Sequence, residues 1–162
     1  MNTIWKLRRL LTYFFKRKGP HGIHSPYVYK LVSVDFRRQP NSTRIQKIAT
    51  FLPHLKISTI KKISQLIGDE ENLQLSETKI HIQISESLKV FFSPQHFHDF
   101  QISQMELDDE CRCVILGIID DKWNFKNWKE LQENSMFHCT LDCGSFGILV
   151  KRTHQQKEHF TI

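Results

Sequence analysis

The first 68 residues contain a single acidic side chain, Asp35, against 14 lysines and arginines, a net +13. That part of the chain cannot neutralise itself. Residues 69–121 carry 12 acidic and 3 basic side chains, a net −9, and the remainder is +2, which returns the +6 of the whole chain. The asymmetry has two readings: the two regions face each other within the fold or across a homo-oligomer, or the basic part meets an anionic partner. Other absences narrow the field. No run approaches the ~18 consecutive apolar residues of a membrane-spanning helix. There is no P-loop, no G-x-S-x-G and no H-E-x-x-H, so the chemistries those motifs carry have no local support. Repeats and low-complexity segments are absent. So are a recognition helix and an aromatic RNA-binding strand, and the basic content alone does not argue for nucleic acid. Glycine is scarce: the six are at positions 19, 22, 68, 117, 144 and 147, with no G-x-G between 40 and 115.

The four cysteines fall in two pairs, Cys111/Cys113 and Cys139/Cys143. On a strand the first pair shares a face, and the second pair is separated by roughly 13 Å, too far for a mutual bridge. The first pair also lacks the spacing of a zinc knuckle. Buried free thiols are the expected state, with no metal. At the start, Arg8-Arg9 superficially resembles a twin-arginine export signal. The apolar stretch after it stops at Phe15 and meets Lys16-Arg17-Lys18, and no small-residue cleavage site follows. The expectation is a cytoplasmic protein of one domain spanning 1–162, with a helical part over 1–54 and a sheet part over 55–162.

Hydrophobic periodicity predicts a helix over 2–17, with Ile4, Leu7, Leu10, Leu11, Phe14 and Phe15 on one stripe. Such a helix either docks by that stripe and leaves its basic face in water, or lies on an anionic membrane. Gly19-Pro20 ends it. Ser25-Pro26 opens a second helix running to about Arg37, because serine favours the N-cap and proline the first helical position. Pro40-Asn41-Ser42 breaks the chain and caps a third helix, which ends near Pro53. A short helix over 58–67 follows. "TKIHIQIS" alternates, with Ile80, Ile82 and Ile84 on one face, and pairs as a strand with "LKVFF". Ser93-Pro94 opens a helical turn through Phe100. "CRCVILGII" predicts a strand buried on both faces, as in a parallel sheet. A helix over 124–134, capped by Asn124 and carrying Trp128 and Leu131, then leads to an antiparallel hairpin, "MFHCTLD" and "SFGILVKR", turning at Cys143-Gly144. The order is that of an α/β fold whose last strands turn antiparallel.

Three segments carry a resemblance. "KGPHGIHSPYVYKL" resembles the N-terminal signature of a Bacteroidetes-type family of class I S-adenosylmethionine-dependent methyltransferases, which follows a basic first helix. "FGILVKRTHQQKEHFTI" is similar to that family's final strand and its Lys-Glu-His-Phe-Thr tail. "GIIDDKWNFKNWKEL" resembles the stretch where a central strand ends in Asp-Asp-Ile-His-Trp before a helix. Here Asp120, Asp121, Trp123 and Trp128 match, and Lys122 stands in place of Ile-His. The resemblance spans residues 5–37 and 112–162. It implies a Rossmann-like methyltransferase sheet with N-terminal helices and a C-terminal antiparallel hairpin, in which S-adenosylmethionine binds outside the strand ends. The chain departs from that pattern where the cofactor should sit. The glycine-rich turn is missing, and the span between matched segments is too short for three or four βα units of ~30 residues.

The resulting expectation is a reduced, methyltransferase-like protein without catalysis and without a bound cofactor. It would act in binding or assembly, with itself or with a methyltransferase-like partner. The alternatives are an active S-adenosylmethionine-dependent enzyme with a minimal pocket, and a binder of an anionic surface through the basic first helix. Asp120 and Asp121 are the catalytic candidates, as a base or a cation holder at a strand end, against the alternative that they flank a helix N-terminus. Arg8, Arg9, Lys16, Arg17, Lys18, His21 and His24 are the candidates for an anion or partner site. The two histidines have further readings, as a metal pair or as a fixed loop.

Overall fold

In the computed structural model the described residues are 3–17, 23–53, 55–67, 75–77, 81–85, 87–102 and 107–162. The helices are α1 (Thr3–Lys16), α2 (Pro26–Ser33), α3 (Ser42–Phe51), α4 (Ile57–Ile67), α5 (Pro94–Ile102) and α6 (Lys122–Glu133). The strands are β1 (Ser76–Glu77), β2 (His81–Ser85), β3 (Leu88–Phe91), β4 (Arg112–Leu116), β5 (Cys139–Asp142), β6 (Phe146–Val150) and β7 (Glu158–Thr161). They form one mixed seven-stranded sheet in the order β1-β2-β3-β4-β6-β5-β7. The chain is an α/β protein. Among the described residues no helix is long and apolar enough to cross a membrane.

β3 and β4 run parallel, with Val90 opposite Val114. β6 is antiparallel to both β4 and β5, so it is threaded between two strands that share a direction. β7 is parallel to β5. The chain therefore makes two successive βαβ crossovers, β3-α5-β4 and β4-α6-β5, that step the same way along the sheet. Crossovers of one hand stepping one way lay their helices on the same face, and α5 and α6 do pack side by side. β2 turns back antiparallel onto β3, and β1 onto β2.

Side chains alternate across the sheet, and each face has its own core. Val114, Leu116, Leu141, Ile148 and Val150 pack with Val28, Leu31, Ile48, Ile60 and Ile63 of α2, α3 and α4. Cys113, Ile115 and Leu149 pack with Phe97 of α5 and with Trp128 and Leu131 of α6. All four cysteines are free and buried, as the sequence pattern predicts. Cys111 and Cys113 belong to the second core, Cys139 and Cys143 to the first, so the two pairs lie on opposite faces of the sheet.

Gly147 of β6 is dictated by this packing. A Cβ there would lie 2.3 Å from Cη2 of the Trp128 indole, so only glycine lets the ring lie against the strand.

Several local expectations change. Asp121, not Asn124, caps α6: its carboxylate accepts the Asn124 backbone N–H at 2.7 Å. β4 is buried as expected but is parallel to a neighbour on one side only. Ser25 occupies the N-cap of α2 without a capping bond, and its hydroxyl accepts from the Gln155 amide at 3.0 Å. Asn41 does cap α3. Ile80 lies outside the described residues, while Ile82 and Ile84 are both buried.

The largest correction concerns α1. Docking by the apolar stripe is not what the fold does. Ile4, Leu7, Leu10, Leu11, Phe14 and Phe15 are all exposed, from 44% for Leu10 to 82% for Phe15. The opposite face, carrying Trp5, Arg9 and Tyr13, meets the body. The physical reason is a buried carboxylate at the end of β5 that only this face can satisfy.

Candidate functional site

β4, β5 and β7 share one direction, so their carboxyl ends lie along one edge of the sheet. Helix α1 lies across that edge. Lys6 Nζ reaches Asp120, just beyond β4, at 3.4 Å. Arg9 Nη2 pairs with Asp142, the last residue of β5. The Tyr13 hydroxyl donates to the backbone carbonyl of Ile162, just beyond β7. Successive turns of one helix thus bind successive strand ends.

Each contact has a local cause. Asp142 is 2% exposed and needs donors. It takes one from Arg9 and another from the Gly144 N–H at 3.1 Å. Gly144 sits at φ +85°, the left-handed region that favours glycine, and its open α-carbon also admits the Tyr13 ring. Burial, and then the neighbouring Cys143 and Asp142, push Tyr13 up to about 12, so its hydroxyl is held in the donor form. The Arg9 guanidinium lies 4.3 Å over the Phe125 ring of α6, and Trp5 meets the same ring edge-on at 5.9 Å.

Between α1, α6 and the ends of β5 and β7 lies a cleft of about 410 Å³. Its cations are Arg8, Arg9, Lys16 and Lys129; its polar floor is Thr12, Thr161 and Asp142. Four positive side chains therefore face one carboxylate, and that carboxylate is already bonded to Arg9. Lys129 is held below its ordinary pKa by burial, with Arg9 and Lys16 adding to the effect and Asp142 opposing it. The Arg9 Nε–H is buried without an acceptor among the described residues. Like charges are crowded and a buried donor is unused, a combination that an anion would relieve.

The sequence-predicted candidates separate in three dimensions. Arg8, Arg9 and Lys16 come together in the cleft. Arg17 is exposed, with its guanidinium 5.1 Å over the Phe14 ring on the outer surface. Lys18 and His21 lie outside the described residues. His24 is exposed ahead of α2 and does not line the cleft. Asp120 and Asp121 are adjacent in sequence but serve different contacts, an ion pair to Lys6 and the cap of α6. Among the described residues no group of three His, Cys, Asp or Glu comes together to hold a metal.

Sequence reasoning missed Tyr13, Phe125, Lys129, Asp142 and Thr161. One signal was available. Asp142 is an acid at the end of the apolar run "CTLD", where burial demands a cationic partner. Lys129 offered none, since it reads as an ordinary exposed lysine of α6.

Comparison of the chain with family models, with curated proteins and with solved structures gives no match.

Proposed function

We propose that this chain is a methyltransferase-like scaffold that does not transfer methyl groups and instead binds an anionic group in the cleft between α1 and α6. The observation that carries the reading is α1 itself. In open α/β sheets, ligands bind outside the carboxyl ends of the strands, at a point where the strand order reverses. Here the carboxyl edge of β4, β5 and β7 is covered by α1. The two crossovers among the described residues step the same way, so they create no such reversal. Methyl transfer depends on holding donor and acceptor in line. Asp120 and Asp121 are instead engaged by Lys6 and by the α6 N-terminus.

The second half of the reading rests on charge. Arg8, Arg9, Lys16 and Lys129 face a single, already bonded carboxylate. Phosphate or carboxylate groups fit such a site, and arginine can grip them with two parallel hydrogen bonds.

Isothermal titration of the full chain tests both halves. S-adenosylmethionine and S-adenosylhomocysteine are expected to give no binding heat. Micromolar binding of either would overturn the non-catalytic reading. Pyrophosphate is expected to bind, and Lys129→Ala to weaken it about tenfold. Equal binding by the variant would remove the cleft from the proposal.

A further inference from the structure

The outer face of α1 has no use in the cleft. At about 100° per residue, Ile4, Leu7, Leu11, Phe14 and Phe15 centre on the side opposite Trp5, Arg9 and Tyr13. All five are exposed, and Leu10 borders them. The i, i+3, i+4 spacing sets them in one row along the helix, and Phe14 and Phe15 meet edge-on at 6.1 Å at its end. Contiguous apolar surface of this kind marks a contact site.

The helix cannot simply roll over to bury it. Rotation would withdraw Arg9 from Asp142 and leave a carboxylate at 2% exposure without its counter-ion. It would also withdraw the Tyr13 hydroxyl from the Ile162 carbonyl. The polar face is locked inward, and the apolar face is therefore held outward.

Charge identifies what covers it. α1 contains no acidic residue. Arg8 flanks the stripe on one side and Arg17 on the other. Both are exposed, with no ion pair among the described residues. A second copy seated stripe to stripe would set these cations against their own counterparts. An anionic bilayer satisfies both parts: the apolar side chains enter the boundary between headgroups and acyl chains, and the flanking cations meet lipid phosphates. The helix, about 21 Å long, would lie flat in that boundary with the sheet behind it.

We infer that α1 docks this protein on the surface of an anionic phospholipid bilayer through Ile4, Leu7, Leu11, Phe14 and Phe15. The inference stands on the apolar outer face of α1 and on Arg17, none of which lines the cleft; Arg8 is shared with it.

Co-sedimentation of the full chain with vesicles tests it. Vesicles of phosphatidylcholine with phosphatidylglycerol are expected to bind the protein, and vesicles of phosphatidylcholine alone to bind it far less. Raising the salt should release it. The double variant Leu11→Glu/Phe15→Glu alters only exposed positions and should weaken binding by about tenfold or more. Arg17→Gln should weaken it about fivefold. As a separate readout, the Phe15→Trp protein should shift its emission to the blue on anionic vesicles. Absence of binding at low salt, equal binding by the double variant, or an unshifted tryptophan would each overturn the inference. So would a concentration-dependent dimer that Leu11→Glu/Phe15→Glu abolishes, because the stripe would then belong to a second copy.

Discussion

Arg9 and Asp142 form an ion pair nearly withdrawn from water, with 11% and 2% of their side chains exposed, across 133 residues of chain. It decides how α1 is oriented. Removing one partner leaves the other buried and uncompensated, at a cost of about 3–5 kcal/mol. Arg9→Ala and Asp142→Ala should each lower the free energy of unfolding measured in urea by that amount. A paired replacement, Arg9→Met with Asp142→Leu, should recover most of it. If the double variant were as unstable as the sum of the singles, the pair would not be the coupled unit described.

Tyr13 predicts a loss of stability in alkali. Its pKa is raised to about 12 from an ordinary 10, so the folded state holds the proton more tightly than the unfolded chain. That contribution is fully present below pH 10 and is lost as the pH rises towards 12. Tyr27, also raised to about 12, shares the window. The diagnostic quantity is therefore the difference between the native chain and Tyr13→Phe. The native chain should lose stability more steeply between these pH values. Parallel curves would mean that the hydroxyl is not buried against Ile162.

Gly147→Ala drives a methyl group into the Trp128 indole. Overpacking of this kind costs about 1–3 kcal/mol. Thermal unfolding should show the loss, and Trp128→Phe in the same chain should return part of it by vacating the ring atoms nearest Gly147.

Asp121 and Asp120 should separate in stability assays. Asp121→Ala removes the cap of α6 and should cost about 1 kcal/mol. Asp120→Asn removes one exposed partner of Lys6, a class of pair worth about 0–1 kcal/mol. Urea unfolding of the two variants checks the order. A larger loss from Asp120→Asn would contradict the assigned roles.

Much of the fold was legible from periodicity and caps. The apolar stripe of α1, the Ser25-Pro26 and Asn41 starts, the alternation of "HIQIS" and the turn at Gly144 are local signals, and local physics reads them. What escaped was decided by partners distant in the chain. Which face of α1 points inward depends on Asp142, and nothing near residue 9 reveals that. The direction of β6 beside β4 depends on the return of the chain through Gly144. β7, "EHFT", is short and mostly polar, and is a strand only because β5 offers it an edge. The basic residues of the cleft were visible individually, but Lys129 joins them only through the placement of α6.

A helix laid across strand ends also has a thermodynamic meaning. α1 occupies the carboxyl edge as a tethered ligand of its own sheet, joined to α2 through residues 17–25. A short tether sets an effective concentration of millimolar order. A soluble molecule with the same intrinsic affinity for those strand ends must therefore exceed that concentration before the helix gives way.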